Sequence, residues 1–436
     1  MVTLAFEKLE LENELEDLIK LRRNFNVNHL KIPSNLTFND LLKVETTLET
    51  LANEIRFEWK KKCFFHTEHV YKSPSYPQDF WTLNNSEVNF KYERVINYRF
   101  WEDKHFTKVS NFSGFSMFFS SGMSAILNVL HLLRIMFNGK INGVLLGDYY
   151  ETRTLFKNLS IKDINFGYLN DTFSLNSVNQ VDFLIIEPVR YNTSLSVVDD
   201  EELINYINHH NFIKAVVIDY TLLSNSFDFE KLLSKIDKNI FIFLIKSTLK
   251  LDQSGLEIAN SAQLSLYIKS SSSMQEYVEK LRTLLEGQRG ALGSSLSYYE
   301  VCQLDYPMFN MDIKYINKVL DNVTRFVSCL KNSHLEIIHP SLINTKYKSP
   351  FLFIKAENNE HFFEFKEYID SYLENNHIHI PSRNSFGFRN IAMEVVQMNR
   401  TNNVLKIAPG KISGIKQRTL IEGIIKFSRN KKSRRY

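Results

Sequence analysis

Apolar and polar residues change their spacing twice along this chain. Over 9–23 and 38–62, leucine, isoleucine and valine recur at helical intervals with charged residues between them. This predicts an amphipathic helical arm, followed by a loop-like stretch over 66–81 with Pro74, Pro77 and aromatic residues. Later the pattern becomes one of short apolar runs at 115–119, 144–146, 183–186, 215–218 and 241–245, with helical stretches at 123–137, 152–159 and 201–209 between several of them. Continuous apolar runs of this length read as strands buried on both faces, and strands alternating with helices predict a mainly parallel sheet covered on both sides. Beyond it, 274–287 and 315–331 read as long helices. LEIIHP, PFLFIKAE and VLKIAPG read as strands, with 360–375 a helix between them. The expected organisation is an arm and loop segment over 1–100, a large α/β domain over 101–296, and a small α+β domain over 297–436 with a basic tail.

A length of 436 residues fits two or three domains. With 44% apolar and 23% charged residues, the composition is that of a soluble globular protein. Much of the net charge of +4 sits in the terminal SRNKKSRRY, which reads as a solvated, frayed tail; without it the chain is near neutral, so no nucleic-acid footprint is expected. Cys63, Cys302 and Cys329 are far apart and odd in number, which argues for buried thiols rather than disulfides or a metal site. The acidic N-terminus is no signal peptide and no apolar run reaches transmembrane length, so a cytoplasmic protein without membrane contact is expected. Only 14 glycines occur, which weakens any motif that depends on glycine.

Candidate chemistry lies where the apolar runs end. AVVIDYT (215–221) puts Asp219 at one strand tip, and FIFLIKSTLKLDQSGLE (241–257) runs from five apolar residues into a polar turn with two lysines and three hydroxyls. In a parallel sheet such tips share the carboxyl edge, where ligands sit. An acid on one tip and a lysine about one helix and one strand later are what pyridoxal phosphate (PLP) enzymes need, the acid for the pyridinium nitrogen and the lysine for the Schiff base. Both Lys246 and Lys250 are available. SSGMSAI (120–126) lies between a strand and a helix; its small residues suit an anion at a helix N-terminus, and an ordinary cap by Ser120 or Ser121 fits them equally.

SSGMSAI, GDYYETRTLF, IEPVRYNTSLSVVD, VVIDYT and STLK, in that order, resemble the Cys/Met-metabolism PLP enzymes, the cystathionine γ-synthase and γ-lyase-like proteins of PLP fold type I. The resemblance covers roughly 95–411. It implies an aspartate-aminotransferase-like α/β fold, a mainly parallel sheet in a large domain with a smaller α+β C-terminal domain, and pyridoxal 5'-phosphate as cofactor. Gly122 and Met123 match the amides that hold the cofactor phosphate, and Tyr149 matches the tyrosine that stacks on the cofactor ring. Asn192, seven residues before Asp199, matches an asparagine at the phenolic oxygen. Asp219 matches the pyridinium partner, with Thr221 beside it in the cofactor set. Ser247, three residues before Lys250, matches the phosphate-binding serine, and this spacing favours Lys250 over Lys246 as the Schiff-base lysine. A lysine whose pKa is lowered by burial can serve as nucleophile and then as base. In the C-terminal part, SRNSFGF puts Ser385 in a family serine position and VLKIAPG puts Lys406 where an arginine binds the substrate carboxylate.

The departures fall mostly on substrate recognition. Lys406 offers a point charge where arginine offers two parallel bonds, leaving Arg383 or Arg389 as alternatives. Leu249 stands in place of a threonine, Ser254–Gly255 in place of glycine-histidine, and Tyr220 in place of an asparagine. For the tyrosine-x-arginine that reaches a neighbouring subunit's phosphate, only the adjacent Tyr98 and Arg99 are on offer. The resemblance therefore implies a lyase or transferase acting at the β or γ carbon of an unusual small-molecule amino-acid substrate, assembled as a homodimer or homotetramer. Another PLP reaction (aminotransferase, racemase, decarboxylase) and a catalytically inactive partner protein are the alternatives.

Overall fold

Two helices, α1 (Leu4–Asn24) and α2 (Leu41–Thr67), open the chain, each burying an apolar stripe: Leu11, Leu18 and Leu21 on α1, and Val44, Leu48, Leu51 and Ile55 on α2. Their extents come from a computed structural model that describes residues 4–33, 36, 38–73, 81–83, 86–88, 90–158, 164–168, 181–271, 274–331, 333–399 and 402–434. Both helices run beyond the stretches read from spacing alone. The loop expected over 66–81 lies partly outside the described residues. A small hairpin, β1 (Trp81–Leu83) with β2 (Ser86–Val88), and the short α3 (Arg99–Lys104) follow.

Next come β3 (Phe112–Phe119), α4 (Gly122–Phe137), β4 (Ile141–Leu146), α5 (Tyr150–Asn158), β5 (Ile164–Tyr168), β6 (Phe183–Ile186), α6 (Asp200–His209), β7 (Ala215–Asp219), α7 (Phe229–Lys235), β8 (Phe241–Ser247), β9 (Ala262–Lys269) and α8 (Met274–Ala291). The strands form one seven-stranded sheet in the order β3-β9-β8-β7-β6-β4-β5. Pairing is parallel from β5 through β8, while β9 runs antiparallel to both its neighbours. Alternate residues of the apolar runs face opposite ways. Phe183 and Ile185 join the layer of α4 and α8, whereas Leu184 and Ile186 join that of α6. A sheet covered on both faces is why these strands carry unbroken apolar runs.

Two strands were not legible as apolar runs. In β9, Leu264, Leu266 and Ile268 alternate with Gln263 and Ser265, whose polar side is satisfied across the pair: Ser265 Oγ lies 2.7 Å from Ser116 Oγ, and Gln263 Nε2 donates to Ser116 Oγ at 3.0 Å. β5 is the sheet edge, where Asn165 and Gly167 are exposed.

The remainder holds α9 (Tyr298–Leu304), α10 (Ile313–Leu330), β10 (Glu336–Ile338), β11 (Leu352–Lys355), α11 (Asn359–Asn375), β12 (Ala392–Asn399), β13 (Asn402–Ala408) and α12 (Ile415–Arg434). Its strands form an antiparallel sheet ordered β10-β11-β13-β12, with α10, α11 and α12 supplying Phe326, Phe365 and Leu420 to its core. The basic tail expected to fray is instead helical through Arg434, because α12 runs on from its buried residues Leu420 and Ile424. No helix among the described residues is long and apolar enough to cross a membrane.

Candidate active site

The carboxyl ends of β3, β4, β6, β7 and β8 open into one cavity of about 720 Å3. Gly122, Met123, Tyr149, Asp219, Thr221, Ser247, Lys250 and Lys406, eight of the ten residues singled out from the sequence, line it. Helix α4 begins at its wall. Ser121 caps α4 by accepting from Ser124 N at 3.1 Å, and Ser124 Oγ accepts from Ser121 N in return. The cap leaves the first-turn amides of Gly122 and Met123 at the cavity wall, and a helix N-terminus favours an anion there. Ser247 lies close by: a Cβ added at Gly122 would meet its Cβ at 4.0 Å. Of the two candidate caps in SSGMSAI it is Ser121 that serves, and the capped turn faces the cavity.

Asp219 ends β7 on the neighbouring strand and accepts from Thr221 N at 3.0 Å; Thr221 Oγ1 in turn accepts from Ser247 N at 2.9 Å. Burial pushes the Asp219 carboxyl above its usual range, against the hydrogen bonds from Thr221. The two lysines of the β8 turn part company. Lys246 is fully buried away from the cavity, 2.6 Å from Asp252 and donating also to Ser224 and Asn225. Lys250 reaches the cavity and donates to Ser385 Oγ at 2.8 Å. Burial lowers the Lys250 pKa, with Glu257 and Glu151 acting in the opposite sense. Ser385 thus touches Lys250 from a neighbouring cleft rather than lining the main cavity. Its loop comes this close because Gly387 has φ +79°, and an added Cβ would sit 2.7 Å from Lys250 O.

The sequence reading missed Glu187. It follows β6 directly, and both its oxygens are used: Oε1 accepts from Tyr149 N at 3.1 Å, and Oε2 from Asp148 N at 3.0 Å and Tyr191 N at 3.2 Å. Burial, with the nearby charge of Asp219, lifts it to about 7. Gly147 makes room, since a Cβ there would lie 2.5 Å from Glu187 Oε1. Glu187 therefore fixes the backbone that carries Tyr149, whose ring meets that of Tyr191 edge-on at 5.9 Å. An acid directly after an apolar run was the available signal, as at Asp219.

Asn192 does not line the cavity. Its amide donates to Ser196 Oγ at 2.8 Å and to Asp148 Oδ2 at 3.3 Å, and its oxygen accepts from Ser194 and Ser196, so it shapes its turn and ties it to the residue before Tyr149. Tyr98 and Arg99 are likewise engaged within the chain, Tyr98 accepting from Leu296 N and Arg99 pairing with Glu279 and Glu286.

Lys406 lines the cavity beside Glu394, its register partner across β12 and β13. Its Nζ donates to Asn384 O at 2.9 Å and lies 3.3 Å from Glu394 Oε2. Burial lowers its pKa, Glu394 opposes that shift, and the charge of Lys250 adds to it. No arginine is among the described lining residues. Arg389 is committed elsewhere, donating to both oxygens of buried Glu14 and to Ser254 O, while Arg383 stacks over Phe388 in the neighbouring cleft.

The arrangement of sheet, helices and cavity matches solved structures. The chain superposes on a methionine gamma lyase from Micromonospora echinospora, CalE6 in its apo form, with a TM-score of 0.56 at 14% identity, covering 82% of this chain and 91% of that one. It superposes on MetB from Corynebacterium glutamicum with a TM-score of 0.56 at 14% identity, covering 84% and 98%. The chain has PLP fold type I. No protein-family model matches it, and no curated protein matches it in sequence. Within fold type I the cavity lies at the carboxyl edge of the large sheet, where the sequence reading put it.

Proposed function

We propose that this chain is a pyridoxal 5'-phosphate-dependent enzyme acting on an amino acid at its β or γ carbon, as a lyase or transferase. The observation that carries the cofactor reading is the convergence, in one cavity, of a helix N-terminus with Ser247, a buried strand-tip acid and a lysine of lowered pKa. The donors fit the group: the first-turn amides of α4 and Ser247 suit its phosphate, Asp219 its ring nitrogen, Tyr149 its ring face, and Lys250 its aldehyde carbon. The ordered sequence blocks support the β- or γ-carbon reaction.

Bound there, PLP supplies an electron sink for charge developing at the substrate Cα. The chain's own part is positioning and proton handling. With the group bound, an ionised Asp219 would keep a proton on its ring nitrogen. The Lys250 amine, its pKa lowered by burial, would accept the proton leaving Cα and return it. Glu187 holds the Tyr149 backbone so that its ring stays against the cavity, and Lys406 offers a cation to the substrate carboxylate.

Absorption of the purified protein, before and after borohydride reduction, tests this together with peptide mapping. A yellow band that borohydride removes, with the reduced cofactor attached to Lys250, is the expected result, and Lys250→Ala should abolish both attachment and turnover. A protein that takes up no PLP, or attachment at Lys246, sinks the reading.

A further inference from the structure

The charges lining the cavity do not balance in the way an anionic substrate requires. Among the described residues, its lining carries two cations, Lys250 and Lys406, and four carboxylates, Glu151, Glu187, Asp219 and Glu394. Under the PLP reading, Lys250 and Asp219 are taken by the cofactor, and Glu187 is held by three backbone amides. One cation and two carboxylates remain for the substrate: Lys406, Glu394 and Glu151. Glu394 is one-quarter exposed, at 24%, and only its Oε2 is near Lys406; no described residue donates to its Oε1. Its charge also acts on the hydroxyls of Tyr150 and Tyr191, two further lining residues. Glu151 accepts from Tyr150 and acts on Lys250. A single α-carboxylate can be met by Lys406. With Lys406 matched by the α-carboxylate, a second carboxylate would meet net negative charge, whereas a second ammonium would find Glu151 and the open Oε1 of Glu394.

We infer that the site, on the PLP reading above, selects amino acids that carry a second cationic group, with Lys406 taking the α-carboxylate and Glu394, aided by Glu151, taking the distal cation. Like-charge exclusion then does as much for selectivity as attraction.

The test is a spectral titration of the PLP-loaded protein with L-lysine, L-norleucine and L-2-aminoadipate, which present a distal ammonium, methyl and carboxylate. L-Lysine should bind about tenfold tighter than L-norleucine, as one partly screened charge pair allows, with L-2-aminoadipate weakest. Glu394→Gln should remove most of the preference for L-lysine over L-norleucine, read as the ratio of the two affinities. Equal binding of L-lysine and L-norleucine by the unaltered protein, tightest binding of the dicarboxylic acid, or no response to any of the three overturns the inference while the cofactor reading stands. An undiminished lysine preference in Glu394→Gln overturns the role of Glu394. A protein that takes up no PLP overturns the cofactor reading and this inference with it.

Discussion

At the scale of single residues, position on the sheet decides which side chains meet the cavity. Lys246 and Lys250 both follow an apolar run, and spacing favoured Lys250. The structure adds why Lys246 is unsuited: its ammonium is locked against Asp252 at 2.6 Å, with neither side chain exposed. Replacing Lys246 by methionine should therefore cost about 3–5 kcal/mol by stranding a buried carboxylate, measured as a loss of unfolding free energy in urea. If stability is unchanged, the pair contributes nothing. Lys406 and Glu394 form a linked pair of another kind. Changing Lys406 to arginine alone would leave the new guanidinium beside the same acid, so one substitution does not recreate an arginine free for a carboxylate. The effects of changes at these two positions should be non-additive.

At the scale of elements, loops closing on strand ends do most of the work. Gly387→Ala should strain a left-handed position and push the Ser385 loop off Lys250, costing about 1–3 kcal/mol, read as a drop in melting temperature with weaker cofactor retention. Glu45, on the buried face of α2, accepts from Lys416 N at 3.2 Å near the start of α12, and burial raises it from 4.5 to about 7. Such a group favours the folded state below pH 4.5 and progressively loses that contribution as pH rises to about 7. Glu45→Gln should flatten this trend by up to about 3 kcal/mol, seen by comparing melting at pH 5 and pH 8. A Glu45→Gln protein with the same pH dependence as the parent would show that the ionised form is tolerated.

The elements also explain what the sequence could convey. Strands buried on both faces announce themselves as apolar runs, and β6, β7 and β8 were legible for that reason. β9 was not, because its polar alternate residues are satisfied by partners distant in sequence, Ser116 on β3, His105 O and Asn310. The same limit applied to the site. Strand-tip Asp219 and the β8 turn could be read locally. Glu394 gains meaning only through its register with Lys406, and Asn192, chosen by spacing, divides its amide between its own turn and Asp148.

At the scale of the molecule, the N-terminal arm is fastened to the far end of the chain. Glu14 accepts from Arg389 and Lys411, Asp17 pairs with Lys411, and Glu7 lies 3.1 Å from Arg418. Burial alone would raise the Glu14 pKa, but Arg389 and Lys411 outweigh it and hold the carboxyl below its usual value. Glu14→Gln should cost about 3–5 kcal/mol and leave α1 open to proteolysis before the rest of the chain, as limited digestion would show. Equal protection of α1 in both proteins would mean that apolar contacts suffice to hold it. These fastenings also impose an order on synthesis. Glu14 precedes Arg389 by 375 residues, so α1 can pack on the adjacent α2 early but cannot close these ion pairs until the sheet between them has been made. Closure of the arm then follows the sheet, and a premature stop before Arg389 would leave Glu7, Glu14 and Asp17 without these cations.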